Sequence, residues 1–344
     1  MLDHSNFTKE HIKQIQIKSK RDPALIERTI FAFGLLEAIS RVGMPFIFKG
    51  GTCLMLLLDQ IKRLSTDIDI VVEPGTPIEE YFKQASVIFP FVRYEEQKRV
   101  GVNNIEKRHI KFTYNSPVNG REFYILLDVI YETNPYTQII EKEIRNDLLI
   151  SKPDNIKVKI PSPECMLGDK MTAFAPHTIG IPINSGKDLE VIKQFYDVCS
   201  LLDDISNFDM VSATYNNIVP IETSYRGINI NTKDVAEDTF RAAACIASRG
   251  KICEDDYPFY VRGMRDIRNH VFVENYTPEI AAIRAPKVMY LAACLMTGSK
   301  YSRTNELNEN IDSIVLNNEL AALRYLRKIN MESYLYVIKV NQLL

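Results

Sequence analysis

The sequence has no long apolar run. Stretches such as Leu54–Leu58 stop far short of the roughly 20 residues a membrane-spanning helix needs, so no membrane role is expected. The opening residues, Met1-Leu-Asp-His-Ser-Asn, lack a basic stretch feeding an apolar core and a small-residue cleavage site. No secretory signal is visible, and a cytoplasmic location is expected. Cysteine pairs are also missing. Cys53, Cys165, Cys199, Cys245, Cys253 and Cys294 form no CxxC and no Cys/His cluster, which points to reduced, mostly buried thiols rather than disulfides or zinc. The five histidines, His4, His11, His109, His177 and His270, are far apart. The formal charge is only -2, so any nucleic-acid contact would be local. No internal repeat or low-complexity tract is evident. What remains is an ordinary globular balance, 46% hydrophobic and 25% charged, over 344 residues, enough for two domains.

The first twenty or so residues are polar and basic and read as an arm or a frayed helix. From Ala24 to Val42, apolar residues recur at three- and four-residue intervals, which predicts an amphipathic helix ended by Gly43. Pro45–Lys49 reads as a short strand, Gly50-Gly51 as a tight turn, Cys53–Ile61 as a helix and Ile68–Glu73 as the next strand. A helix is expected over Pro77–Phe89, then strands near Lys107–Tyr114, Glu122–Tyr131 and Asn155–Ile160, with Asn119-Gly120 as a hairpin turn between the first two. Helices follow from Pro163 through Phe174 and over Asp188–Leu202, separated by the loop Pro176–Gly186. Beyond Asp203 the strand signals fade and helical periods dominate: Val235–Ala247, Pro278–Leu295 and Asn308–Lys328. The expected division is therefore an α/β domain over 1–205, with its core at about 25–160 and helices over 161–205, followed by a mostly α-helical domain over 206–344.

The chemistry concentrates in Phe48-Lys-Gly-Gly-Thr52 and in Asp67-Ile-Asp69, with fourteen residues between Thr52 and Asp67, and Arg63 and Ser65 just ahead of the acidic pair. Two glycines after a strand let a backbone approach a ligand closely, and the next helix N-terminus offers free N–H groups to a phosphate. Thr52 is placed to cap that helix and bond a phosphate oxygen. Asp67 and Asp69, at i and i+2 on a strand, leave the same face and suit Mg²⁺, a hard ion that prefers oxygen and keeps sites open for substrate phosphates.

G-G-[ST], a helix, then D-x-D on a strand is the signature of nucleotidyltransferases related to DNA polymerase β. The longer string Phe48-Lys-Gly-Gly-Thr … Arg63-Leu-Ser-Thr-Asp-Ile-Asp-Ile resembles one branch, the AbiEii/AbiGii toxin family nucleotidyltransferases of bacterial toxin–antitoxin and abortive-infection systems. The resemblance implies a polymerase-β-like nucleotidyltransferase domain with a mixed sheet. It also implies two Mg²⁺ ions (or Mn²⁺), an NTP donor and a cognate antitoxin partner. Asp128, within Tyr124-Ile-Leu-Leu-Asp-Val-Ile130, takes the place of the family's third carboxylate, so Asp67, Asp69 and Asp128 become the expected metal ligands. Lys170, in Glu164-Cys-Met-Leu-Gly-Asp-Lys170, resembles the lysine that reaches the triphosphate. Lys193-Gln-Phe-Tyr-Asp197 resembles the R-D-x-Y-D segment but carries Lys193 where arginine is common and Gln194 where the first Asp is common. Gln194 cannot act as a general base, which leaves Asp197 as the candidate and Asp188 as a poorer one. Lys49, Gly50, Gly51, Thr52, Arg63, Ser65, Lys170 and Lys193 complete the expected nucleotide-binding set, with Ser65 also read as capping the turn into the strand.

The acceptor stays open: an RNA 3′ end (tRNA or other RNA), a protein or a small molecule. Arg93–Lys111 carries six Lys/Arg against three Glu, with Tyr94 and His109 interspersed, and reads either as an RNA-contacting loop or as a solvated hairpin face. His109, in a run with Ile110 and Phe112, reads as structural, and His177 as the better placed of the two for a ligand. Two rival functions remain. Arg265 and His270 have the R-x4-H spacing of HEPN-type ribonucleases, and the Gln194 departure allows a catalytically inactive nucleotide- or partner-binding module.

Overall fold

The computed structural model describes residues 1–97, 107–304, 311 and 314–344. They divide into two compact units, one of residues 1–162 with 269–274 and one of residues 163–268 with 275–344.

In the first unit the chain opens with a short 3-10 turn and helix α1 (Lys9–Ser19), so the basic N-terminal stretch is ordered as a helix. Helix α2 (Pro23–Arg41) starts on an Asp22 cap, with Pro23 in its first turn, and ends before Gly43, whose φ of 73° only glycine adopts freely. Strand β1 (Ile47–Lys49), helix α3 (Gly50–Leu57), strand β2 (Ile68–Val72), helix α4 (Ile78–Ala85) and strands β3 (Phe91–Glu96), β4 (Lys107–Asn115) and β5 (Glu122–Tyr131) follow. The sheet order is β1-β2-β5-β4-β3, with β2 parallel to β5 and the other pairs antiparallel, a mixed sheet as expected. Strand alternation splits it into two faces. Phe48, Ile70, Leu127, Val129, Ile110 and Phe112 point into the core, fully buried, where α2 and α4 pack. The other parity carries Lys49, Asp69, Asp128 and His109, all partly exposed. A separate hairpin, β6 (Ile139–Glu143) and β7 (Lys157–Pro161), completes the unit.

Two strands went unpredicted for a shared reason. β3 and β6 lie at edges and are charged on both faces, with only Phe91 buried in β3 and no residue buried in β6, so neither shows the alternation that marks a half-buried strand. Segment 269–274 joins this unit through a small antiparallel bridge: Arg63 pairs with Val271, Leu64 N donates to His270 O at 2.8 Å and Phe272 N to Lys62 O at 2.8 Å.

The second unit is helical: α5 (Pro163–Ala173), α6 (Asp188–Leu202), α7 (Phe208–Arg226), α8 (Thr232–Ser248), α9 (Tyr257–Ile267), α10 (Pro278–Thr297), α11 (Leu326–Ile329) and α12 (Met331–Leu343). The observed division falls after Ser162 rather than near residue 205 because α5 and α6 pack within this unit. Small residues permit the contacts. A Cβ at Gly168 of α5 would lie 2.8 Å from Val211 O of α7, and one at Gly263 of α9 would lie 2.2 Å from Asp188 O of α6. The continuous helix expected over Asn308–Lys328 does not form among the described residues. Leu320–Leu323 is a 3-10 turn and α11 has only four residues, while 305–310 and 312–313 lie outside the described residues. α10 is long and apolar enough to cross a membrane by length and composition, yet 61% of its most apolar window is buried, packed against α8 and α12.

Candidate active site

The Gly-Gly turn forms the sharp start of α3. Lys49 is extended at the helix N-cap without a side-chain cap, and Gly50 has φ +81°. Both glycines are required by what lies against them. A Cβ at Gly50 would sit 2.0 Å from Asp69 Oδ2 and 3.0 Å from Asp69 Cβ. A Cβ at Gly51 would meet Arg63 Nη2 at 2.6 Å and Ser65 Oγ at 2.8 Å. Thus the α3 backbone, Asp69, Arg63 and Ser65 close on one spot. Arg63, only 5% exposed, is a buried guanidinium there. Thr52 is fully buried and donates to Asp67 O at 2.6 Å. Its hydroxyl ties α3 to the segment leading into β2, where the sequence suggested a helix cap and phosphate ligand.

The carboxylates are set by register. Asp69 pairs with Lys49 on one side and with Asp128 on the other, and Asp128 pairs in turn with His109. The order Lys49, Asp69, Asp128, His109 therefore forms one row across four strands. Asp67 stands just before β2, its side chain 48% exposed. Its Oδ1 lies 3.6 Å from Arg28 Nη2 on α2 and accepts a 3.3 Å bond from Thr66 Oγ1. His109 Nδ1 and Asp128 Oδ1 are 2.6 Å apart. Lys49 Nζ lies 5.7 Å over the Tyr136 ring.

The first unit thus brings together Lys49, Gly50, Gly51, Thr52, Arg63, Ser65, Asp67, Asp69 and Asp128. Arg28 and His109 are two partners that motif reading did not select. In the second unit, Lys170 Nζ is 3.0 Å from Asp197 Oδ2 and donates to Gln194 Oε1 at 2.9 Å. Both ends of the ion pair are buried, 8% and 1% exposed. Lys193 stands 3.9 Å from Glu190, one turn away. Asp188 is engaged by Arg262 at 2.7 Å.

A family model described as "Nucleotidyl transferase AbiEii toxin, Type IV TA system" matches residues 34–268. The chain belongs to the AbiEii nucleotidyltransferase family. A search of curated proteins returns no significant match. Among solved structures, JHP933 from Helicobacter pylori is 14% identical, with 79% of this chain and 93% of that one covered and a TM-score of 0.43. A candidate nucleotidyltransferase from H. pylori is 13% identical over 79% and 96%, with a TM-score of 0.44. An antigenic nucleotidyltransferase-like protein from Paracoccidioides brasiliensis is 16% identical over 65% and 96%, with a TM-score of 0.36.

No three His, Cys, Asp or Glu side chains converge as a ready metal cage among the described residues. Mg²⁺ does not need one, since it is bound through one or two carboxylates with waters and substrate phosphates filling the octahedron. Asp69 and Asp128, in register on neighbouring parallel strands whose backbones run about 4.8 Å apart, would supply that donor set. The chemistry fits.

Outside this cluster, three of the four described cations of the expected RNA-contacting loop are engaged, while Lys107 is exposed. Arg93 makes a bidentate pair with Glu122 at 2.6 and 2.7 Å. Arg108 bonds Glu96 and Glu79, which hold its guanidinium pKa up, and Lys111 lies 4.5 Å over Tyr124. The rest of that loop, 98–106, lies outside the described residues. His177 pairs with Asp256 at 2.7 Å. Arg265 lies on α9, but His270 lies beyond its end at Ile267, so the two do not share a helix as a HEPN pair would.

Proposed function

We propose that this AbiEii member transfers an NMP from an NTP to an acceptor hydroxyl in a Mg²⁺-dependent reaction, and that it is the toxin of a two-protein system whose partner is its antitoxin. The observation that carries the reading is the in-register Asp69–Asp128 pair, with Asp67 just before it and the Gly50 backbone against Asp69. Its location is the cytoplasm, where NTP and RNA acceptors, tRNA among them, are at hand.

The acceptor oxygen attacks the α-phosphorus in line, pyrophosphate leaves, and the proton passes to a base or to solvent. Asp67, Asp69 and Asp128 would hold Mg²⁺, which when bound would neutralise the phosphate charge. Gly50 and Gly51 let Asp69, Arg63 and Ser65 lie directly against the start of α3, so a phosphate bound by the α3 N–H groups would lie beside the carboxylate and the guanidinium. Arg63, held against Gly51, adds fixed positive charge with little freedom to lose. Lys170 countering the triphosphate and Asp197 as proton acceptor follow from the family motif. In the protein as it stands Asp197 holds Lys170, so Lys170 must exchange one partner for another if it meets phosphate.

Label transfer tests this reading. Purified protein is incubated with Mg²⁺ and each α-³²P-labelled NTP, with total RNA, with cell protein or alone, beside an Asp67→Asn/Asp69→Asn variant. Label moving to one acceptor class with the wild type only is the expected result. RNA shortened equally by both proteins would refute the metal-site reading.

A further inference from the structure

We propose that His109 is a positioning residue for Asp128, holding one carboxylate oxygen so that the other is presented to a divalent cation shared with Asp69. The inference rests on the reading that Asp69 and Asp128 bind such a cation, and it assigns work to a residue outside the family motif.

Three observations carry it. First, the contact is built by the sheet: His109 is the cross-strand partner of Asp128, and the 2.6 Å separation is short for a nitrogen–oxygen pair. Second, the bond runs in one direction. A carboxylate only accepts, so Nδ1 must be the donor, and both the Nδ1–H neutral ring and the imidazolium provide that hydrogen. The arrangement therefore does not depend on the charge of the ring. Third, the pair faces away from the packed core. Ile110 and Phe112 on the same strand, and Leu127 and Val129 on its partner, are fully buried, whereas the side chains of His109 and Asp128 are 18% and 30% exposed. A histidine needed only for packing would share the parity of Ile110.

The physical need is specific. Asp69 and Asp128 are laterally adjacent carboxylates that repel each other when ionised, and Asp128 left alone would turn away from Asp69. His109 pins Oδ1 from the far side of Asp128 and leaves Oδ2 without a protein partner among the described residues. Hydrogen bonds to ligating carboxylates are worth 10–100-fold in metal affinity where they have been removed.

The test is Mn²⁺ binding by the full chain without nucleotide, read as loss of the free-ion signal in electron paramagnetic resonance. The variants are His109→Leu, His109→Asn, Asp69→Asn and Asp128→Asn, with circular dichroism checking the fold. Wild type is expected to bind, the two Asp variants to bind weakly, and His109→Leu to lose about 10–100-fold in affinity. His109→Asn places an amide N–H where Nδ1 was, and is expected to recover most of that loss. Should His109→Leu not fold, His109→Gln, whose amide lies one bond further out, carries the same test. His109→Leu binding as wild type while Asp128→Asn does not would overturn the positioning role alone. Wild type failing to bind, or both Asp variants binding normally, would overturn the cation reading and the positioning role with it.

Discussion

Replacing Gly50 by alanine probes the tightest contact in the site. Two costs are expected. A φ of +81° puts any Cβ in the left-handed region, which costs roughly 1–2 kcal/mol for a non-glycine residue. The new methyl would also lie 2.0 Å from Asp69 Oδ2, 2.8 Å from its Cγ and 3.0 Å from its Cβ, so the aspartate side chain has to move as a whole. Such overpacking costs about 1–3 kcal/mol. The protein contains its own reference for the first term. Gly43, in the same unit, has φ +73° with nothing within 4 Å of the Cβ position. Gly43→Ala therefore reports the backbone term alone, and Gly50→Ala should exceed it by about 1–3 kcal/mol. Urea unfolding of both variants, compared at midpoint with unchanged slopes, measures the difference. Adding Asp69→Ala to Gly50→Ala should recover most of the excess, because only the 3.0 Å Cβ contact is then left. Equal losses for Gly43→Ala and Gly50→Ala, or an excess undiminished by Asp69→Ala, would refute the close approach.

Two further outcomes follow from buried charge in the second unit. Lys170→Met leaves Asp197 buried without its cation and should destabilise by about 3–5 kcal/mol, while Lys170→Met/Asp197→Leu should be milder than either single change; urea unfolding of the set decides this. Asp238 is held above its ordinary pKa of 3.8 by burial, so the folded state binds its proton more tightly and stability declines as pH rises from 3.8 through the raised folded value. Asp238→Asn cannot ionise and should remove that decline, read as a flatter dependence of the urea midpoint on pH from acid to neutrality; an unchanged slope would contradict the burial argument.

How much of this was legible in sequence follows from what fixes each feature. The strand, Gly-Gly start, helix and Asp-x-Asp order is local, and it could be read because backbone freedom and carboxylate spacing are written in neighbouring residues. The partners of those residues are not local. Arg28 reaches Asp67 from α2, and the bond of Thr52 to Asp67 O spans the whole α3 connection. The place of α5 and α6 in the second unit depends on the backbone approaches at Gly168 and Gly263, which no periodicity signals.

His109 shows where the boundary lies. Its parity against Ile110 and Phe112 already places it on the opposite side of the strand from the core, so reading those neighbours as a sign of burial inverts the alternation. Its partner, however, depends on the hairpin. Taking Asn119 and Gly120 as the two loop residues would set His109 opposite Ile130. The turn that forms is longer, closed by Ser116 N donating to Arg121 O at 2.8 Å, and the register moves two residues to set His109 opposite Asp128. A shift of two keeps every side chain on its face and changes only its neighbour. The apolar pattern is blind to that shift, because Phe112 and Ile110 remain in the core either way. The hydrogen bond between Asp128 and His109 is therefore chosen by turn geometry and not by burial, and altering the length of the 116–121 loop would part them while leaving the hydrophobic core of the sheet intact.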